Sequence, residues 1–178
     1  IGINLGIPFI SNNQDFIPPP NGENLFGYFQ NKNQITIHKD IFLEFCASIF
    51  KLLPEINQYE CVVHFRGGDS LIAASHYGYY QQVKSYIQGR PVTVVTDSMG
   101  SARQFFGDKH NITYLSSNDP LDDFVTLTHA KVMFCGPSTF SWWAMHISMN
   151  AEKIYIPQYL KENLGVFRAD IEVNVLSD

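Results

Sequence analysis

Cysteine is scarce in this sequence. The 178 residues contain three cysteines, Cys46, Cys61 and Cys135, and no two of them form a C-x-x-C pair. A small, odd set of this kind argues against a disulfide framework and against a cysteine-based zinc site. Cys61 and Cys135 lie in apolar segments, so we expect them to be buried as small hydrophobic side chains.

Long apolar runs and clusters of basic residues are also missing. No run approaches the roughly 20 apolar residues of a membrane-spanning helix. The chain has 12 Lys and Arg against 17 Asp and Glu, a formal net charge of −5, which disfavours nucleic-acid binding through phosphate neutralisation. The P-loop pattern and the G-x-G-x-x-G fingerprint are absent. There is no D-x-D pair and no histidine spacing typical of a metal site, so we predict no bound metal.

The composition is that of a folded chain with a sizeable core. Hydrophobic residues make up 45% of the sequence, and the length suits about one domain. Short apolar segments alternate with stretches of helical spacing, which predicts an α/β fold: a Rossmann-like parallel sheet with helices on both faces. The predicted strands are Cys61–Phe65, Val92–Thr96, Ile112–Leu115, Val132–Cys135 and Lys153–Ile156.

Two regions are expected along the chain. Residues 1–57 read as a loop-rich segment, interrupted by three successive prolines, and then a helix from about Asp40 to Leu53. Residues 58–178 read as the Rossmann-like domain. Its tail, residues 158–178, shows mixed character, and we expect only a short turn there, near Leu160–Leu164.

One stretch, Phe134–Ile147, combines a strand, a tight turn and a helix. Gly136 and Pro137 break the strand, and Ser138 occupies the natural N-cap position of the helix. A helix N-terminus offers unpaired N–H groups and the positive end of the helix dipole, which suits a phosphate. The same pattern is also typical of an ordinary capped helix with an aromatic core face, and both interpretations stay open here.

Polar residues follow the first and second predicted strands. In a parallel sheet, ligands bind outside the carboxyl ends of the strands. Arg66 directly follows the first strand, and its guanidinium can bind two phosphate oxygens at once. Its alternative role is an ion pair with Asp69. His64 should lie on the same side of the strand as Arg66, opposite Phe65, although a single buried His is more often a hydrogen-bonded core residue. Asp97 follows the second strand.

Two motifs in this order resemble those of the alpha-1,2-fucosyltransferases. His64–Asp69 is similar to their H-x-R-R-G-D motif, with Gly67 in place of the second Arg, and Ser138–Trp143 matches their S-T-F-S-W-W motif. Asp123 stands where the family carries an Asp, and Phe26–Gln30 resembles its G-Y-[FW]-Q stretch. The resemblance runs from about Phe26 to Pro157, and the S-T-F-S-W-W match is its most specific part.

This resemblance implies an inverting glycosyltransferase that moves fucose from GDP-fucose to a hydroxyl of a glycan acceptor, with an alpha-1,2 linkage and no metal or prosthetic group. Family enzymes are two-domain, GT-B-type proteins, so the chain would be the donor-binding half. A second domain or chain would close the cleft. The alternative is a non-catalytic module that binds a nucleotide sugar or a glycan. The location stays open between bacterial cytoplasm or membrane periphery and the Golgi lumen.

The resemblance also implies roles for particular residues. Arg66 and Asp69 would be catalytic: Arg66 meets the charge that grows on the β-phosphate, and Asp69 is the nearest carboxylate, acting directly or by orienting Arg66. Asp123 would accept hydrogen bonds from the guanine, His64 would touch the base or ribose, and Asp97 is a ribose or pocket candidate. The expected donor contacts are His64, Arg66, Asp97, Asp123, Ser138, Thr139, Phe140 and Ser141.

Overall fold

The computed structural model of the protein describes residues 39–68, 76–163 and 167–177. Its helices are α1 (Lys39–Leu52), α2 (Tyr77–Tyr86), α3 (Met99–Phe106), α4 (Pro120–Thr128) and α5 (Thr139–Ile147), with a 3₁₀ helix at Gln158–Asn163. Its strands are β1 (Tyr59–Phe65), β2 (Val92–Thr96), β3 (Ile112–Leu115), β4 (Ala130–Phe134), β5 (Lys153–Pro157) and β6 (Glu172–Leu176).

The strands form one parallel sheet in the order β3-β2-β1-β4-β5-β6. The chain first builds outward from β1 to β3, then crosses back and builds outward again from β4 to β6. The direction of growth therefore reverses between β1 and β4, the position at which open α/β sheets bind ligands. This arrangement confirms the predicted Rossmann-like fold class.

Helices cover both faces of the sheet, because most residues of the central strands are apolar and buried. On one face, α1, α4 and α5 enclose a core that includes Leu127, Trp142 and Met145. On the other face, α2 and α3 enclose a second core built around Phe65 and Tyr80. Strands buried on both faces are typical of parallel sheets. None of the helices in the described part of the chain is long and apolar enough to cross a membrane.

Helix α1 packs on the same core as the sheet. Its buried side chains are Phe42 and Cys46, and the Phe42 ring lies 6.3 Å from that of Trp142 and 5.4 Å from that of His146. The expected helix is thus present almost within its predicted bounds. The division of the chain at residue 57 stays a prediction, since most of the first region lies outside the described residues.

The three cysteines are free and buried, as expected for Cys61 and Cys135. Burial raises the pKa of the Cys46 and Cys61 thiols to about 12 and that of Cys135 further still. The thiolate is the reactive form of cysteine, so these side chains serve packing and are inert as nucleophiles.

The C-terminal part of the chain departs from the prediction. The 3₁₀ helix overlaps the turn expected near Leu160–Leu164, and after it the structure has β6, which was not predicted and which pairs in parallel with β5. β6 is five residues long and half-buried, and its sequence, Glu-Val-Asn-Val-Leu, alternates polar and apolar residues as is typical of such a strand. Pairing with the exposed edge of β5 stabilises it as a strand, and that contact cannot be read from local sequence.

Candidate functional site

Candidate residues follow the carboxyl ends of β1 and β4, the adjacent strands between which the strand order reverses. Residues 66–68 follow β1, Asp97 follows the adjoining β2, and residues 136–138 lead from β4 into α5. The two loops approach closely, because a Cβ added at Gly136 would lie 2.7 Å from the carbonyl oxygen of His64. The fold therefore gathers most of the candidate residues at one edge of the sheet.

The N-terminus of α5 is built by a short network of hydroxyl contacts. Ser138 is the N-cap, and its Oγ accepts from the Ser141 amide at 3.2 Å. The Ser141 hydroxyl donates to the Gly136 carbonyl at 2.6 Å and is fully buried, so it supports the turn from beneath. Thr139 and Phe140 begin the first turn, where a helix offers N–H groups to an anion. The predicted N-cap is confirmed.

Arg66 pairs with the carboxylate of the neighbouring strand end. Its Nη1 lies 3.1 Å from Asp97 Oδ2, with the two side chains 40% and 31% exposed. Its amide donates to the hydroxyl of Tyr80 at 3.1 Å. Asp69, the partner considered from the sequence, lies outside the described residues. Arg66 is thus held at both its backbone and its guanidinium while remaining accessible to a ligand.

Two glycines follow Arg66 and pack against their surroundings without room for a side chain. The amides of Gly67 and Gly68 both donate to Asp97 Oδ1 at 2.8 Å. A Cβ at Gly67 would lie 2.7 Å from the Phe65 ring and 3.1 Å from Ser101 Cβ, and one at Gly68 would lie 2.9 Å from Asp97 Oδ2. An arginine at position 67, as in the family motif, would therefore require Phe65 to move.

His64 is buried near the end of β1. It is 4% exposed, and its ring is 5.6 Å from that of Phe140 on the α5 face, whereas Phe65 contacts α2 and α3. Its Nδ1 has no hydrogen-bond partner among the described residues, and a Cβ at Gly136 would lie 2.7 Å from that atom. Burial lowers the pKa of His64 to about 4, so the ring is neutral at pH 7.

Asp123 lies at the same edge of the sheet, in the first turn of α4. Its Oδ1 accepts from the Ser117 amide at 3.1 Å, and burial raises its carboxyl pKa although that hydrogen bond opposes the rise. The next residue, Phe124, meets Phe140 edge-to-face at 5.3 Å. Phe140 therefore links the starts of α4 and α5 to His64.

Tyr80 is a site residue that the sequence did not reveal. Its ring is fully buried, and its hydroxyl donates to the His64 carbonyl at 3.2 Å while accepting from the Arg66 amide. The helical spacing showed that position 80 faces the core, but not that its hydroxyl reaches the end of β1. No group of three or more His, Cys, Asp or Glu side chains arranged to hold a metal occurs in the described ranges; metal independence stays a prediction.

Comparison with known proteins gives one informative similarity. Over 76% of its length, the chain is similar to the O-antigen biosynthesis glycosyltransferase WbnK of Escherichia coli, at 26% identity. The chain spans about half of that relative, 54% of its length. No protein-family model matches the chain, and no solved structure gives a significant match. The similarity supports glycosyl transfer as the general class of activity and does not distinguish the sugar, the donor nucleotide or the linkage.

Proposed function

We propose that this chain is the donor-binding part of a glycosyltransferase, with GDP-fucose as donor and a glycan hydroxyl as acceptor, transferring with inversion to an alpha-1,2 linkage. The observation that carries the proposal is that Arg66 and the Ser138-capped start of α5 follow β1 and β4, the adjacent strands between which the strand order reverses. A guanidinium and a helix N-terminus are both suited to phosphate. Similarity to a glycosyltransferase supports the same class.

The proposed chemistry is the stabilisation of a leaving diphosphate. As the acceptor hydroxyl gives up its proton to a base, its oxygen bonds to the sugar C1, the bond from C1 to the β-phosphate oxygen breaks, and negative charge grows on that phosphate. Arg66 and the first-turn amides at Thr139 and Phe140 would meet this charge. Preorganised donors of this kind lower the barrier because they need no rearrangement when the charge develops.

The base would lie toward the start of α4. Asp123 is half-buried there, and a carboxylate can accept the paired N–H donors that guanine presents and that uracil and adenine do not present in the same arrangement. We propose that Asp123 selects guanine. Asp69, the carboxylate nearest to Arg66 in the sequence, is proposed as a catalytic residue, acting either as a base or as a second partner of Arg66.

The acceptor would be bound by another domain or chain. In a GT-B-type enzyme the site lies between two domains, and this chain spans about half of its relative. With the sugar side of the donor exposed to water, hydrolysis and slow transfer would compete with productive reaction. We therefore expect the chain to bind GDP but to transfer fucose slowly unless a second domain closes the cleft.

One observation favours a second candidate, a binding module without turnover. Position 67 carries no side chain, and the amides of Gly67 and Gly68 are occupied by Asp97, so the loop offers a single guanidinium to the donor. A site with fewer cationic donors can hold a diphosphate and yet stabilise its departure poorly. Release of GDP from GDP-fucose in the presence of a glycan acceptor distinguishes turnover from binding.

The proposal is tested by titrating the purified chain with GDP, GDP-fucose, UDP and ADP in a calorimeter. We expect GDP and GDP-fucose to bind more tightly than UDP and ADP. Arg66→Ala should weaken GDP binding about tenfold or more, since it removes a charge-assisted contact. The matched control is Arg103→Ala, which removes an exposed arginine paired with Asp108 at 3.6 Å. Equal GDP affinity in Arg66→Ala, Arg103→Ala and the unmodified chain would refute the phosphate site.

A further inference from the structure

We propose that Asp97 is a positioning residue, which holds the loop after β1 and the Arg66 guanidinium in place, and is not itself a contact of the ribose. The effect of Asp97 on donor binding rests on the proposed function, whereas its role in holding the loop does not. Its structural basis is a set of three contacts: Oδ1 accepts from the Gly67 and Gly68 amides at 2.8 Å, and Oδ2 pairs with Arg66 Nη1 at 3.1 Å.

The amides of Gly67 and Gly68 form an anion-binding site, and the Asp97 carboxylate occupies it. Successive backbone N–H groups in a turn create a concavity that attracts anions, and here residues 67 and 68 direct theirs at one oxygen. A phosphate cannot use the same two amides while Asp97 occupies them. We therefore expect the donor diphosphate to bind the Arg66 guanidinium and the start of α5, the helix that follows β4.

Asp97 is itself fixed in position. It follows β2, and its two neighbours in the chain are hydrogen-bonded to each other, because the Ser98 amide donates to Thr96 Oγ1 at 3.0 Å. The Ser98 hydroxyl donates to that of Ser101 at 2.9 Å, which joins the turn to α3. Ser101 also lies against the Gly67 backbone. The carboxylate is therefore anchored on a rigid strand-to-helix turn, as a residue that orients another must be.

The acceptor capacity of Asp97 supports the same conclusion. A carboxylate offers about four hydrogen-bonding sites on its two oxygens, and three of them are used within the loop. A ribose contact at Asp97 would compete with the guanidinium or with the amides. A positioning role requires only the three contacts that the carboxylate already makes.

The first experiment measures amide hydrogen exchange at residues 66–68 in the full 178-residue chain without ligand. Asp97→Ala removes all three contacts, and Asp97→Asn keeps an acceptor oxygen while removing the charge. We expect the Gly67 and Gly68 amides to exchange about tenfold faster in Asp97→Ala and by a smaller factor in Asp97→Asn, because charge-assisted hydrogen bonds are the stronger ones. The control, Asp108→Asn, disrupts the exposed pair with Arg103 and should leave these rates unchanged.

The second experiment is a double-mutant cycle on GDP affinity between Asp97→Asn and Arg66→Ala. If Asp97 acts through Arg66, Asp97→Asn weakens GDP binding in the unmodified chain and has little further effect once Arg66 is removed. Equal weakening in both backgrounds would show direct contact with the ligand and overturn the proposal. Unchanged exchange in both Asp97 variants would overturn it as well. If the unmodified chain binds no GDP, the donor site fails, and the exchange rates alone decide whether Asp97 holds the loop.

Discussion

The buried imidazole of His64 should make the folded chain lose stability in mild acid. Burial lowers its pKa to about 4; Arg66 contributes in the same direction and Asp97 opposes it. Nδ1 has no hydrogen-bond partner among the described residues, so within that part of the chain no hydrogen bond at Nδ1 compensates a charge placed on the ring. The perturbation is His64→Phe, which replaces the imidazole by a non-titrating ring between the Gly136 turn and Phe140.

The sign and size of the effect follow from proton linkage. The unfolded chain has a histidine pKa near 6.5, so between about pH 6.5 and pH 4 the unfolded state binds a proton that the native state does not. Stability contributed by neutral His64 is therefore fully present above pH 6.5 and is lost as the pH falls toward 4. A difference of about 2.5 pH units, at about 1.4 kcal/mol each, gives about 3 kcal/mol.

The assay is urea unfolding at pH 7.5 and pH 4.5, for the unmodified chain and for His64→Phe. Other acid-sensitive groups are common to both proteins, so the difference between the two pH dependences isolates His64. We expect the unmodified chain to lose about 2 to 3 kcal/mol more than His64→Phe over this interval. His64→Asn, which keeps a polar atom near Nδ1, should behave like His64→Phe.

The matched control is His110→Asn, which removes an exposed imidazole and should leave the pH dependence of the unmodified chain intact. Parallel loss of stability in the unmodified chain and in His64→Phe would refute the reasoning. It would mean that the pKa of His64 is the same in the folded and the unfolded chain.

Three further predictions concern the same edge of the sheet. Gly136→Ala would place a Cβ 2.7 Å from His64 Nδ1 and should lower the free energy of unfolding in urea by about 1–3 kcal/mol. The control is Gly100→Ala in α3, where an added Cβ would have no atom within 4 Å, so stability should be unchanged or higher. Equal effects of the two substitutions would contradict the packing argument. Asp123→Asn should reduce the preference for GDP over UDP and ADP in calorimetry, and retained preference would reduce Asp123 to a hydrogen-bond acceptor for Ser117. GDP binding, and any transfer, should survive excess EDTA, whereas loss restored by Mg²⁺ or Mn²⁺ would indicate a metal-dependent mechanism.

The sequence by itself determined the parts of the fold that depend on neighbouring residues. Apolar segments of four or five residues separated by helical spacing predicted five of the six strands within a few residues. The N-cap at Ser138 could be predicted because its side-chain oxygen reaches an amide only three residues ahead. The candidate site residues could be named because parallel strands end at one edge of the sheet.

Tertiary structure alone decided which of these residues touch. Asp97 is 31 positions from Arg66, and its contact exists only because β2 lies beside β1 in the sheet. Tyr80 reaches the end of β1 from the opposite face, so its role depends on how α2 packs. β6 forms because β5 offers it an edge. Each is a long-range contact, whose partner is set by strand order and helix packing, and no local pattern encodes that partner.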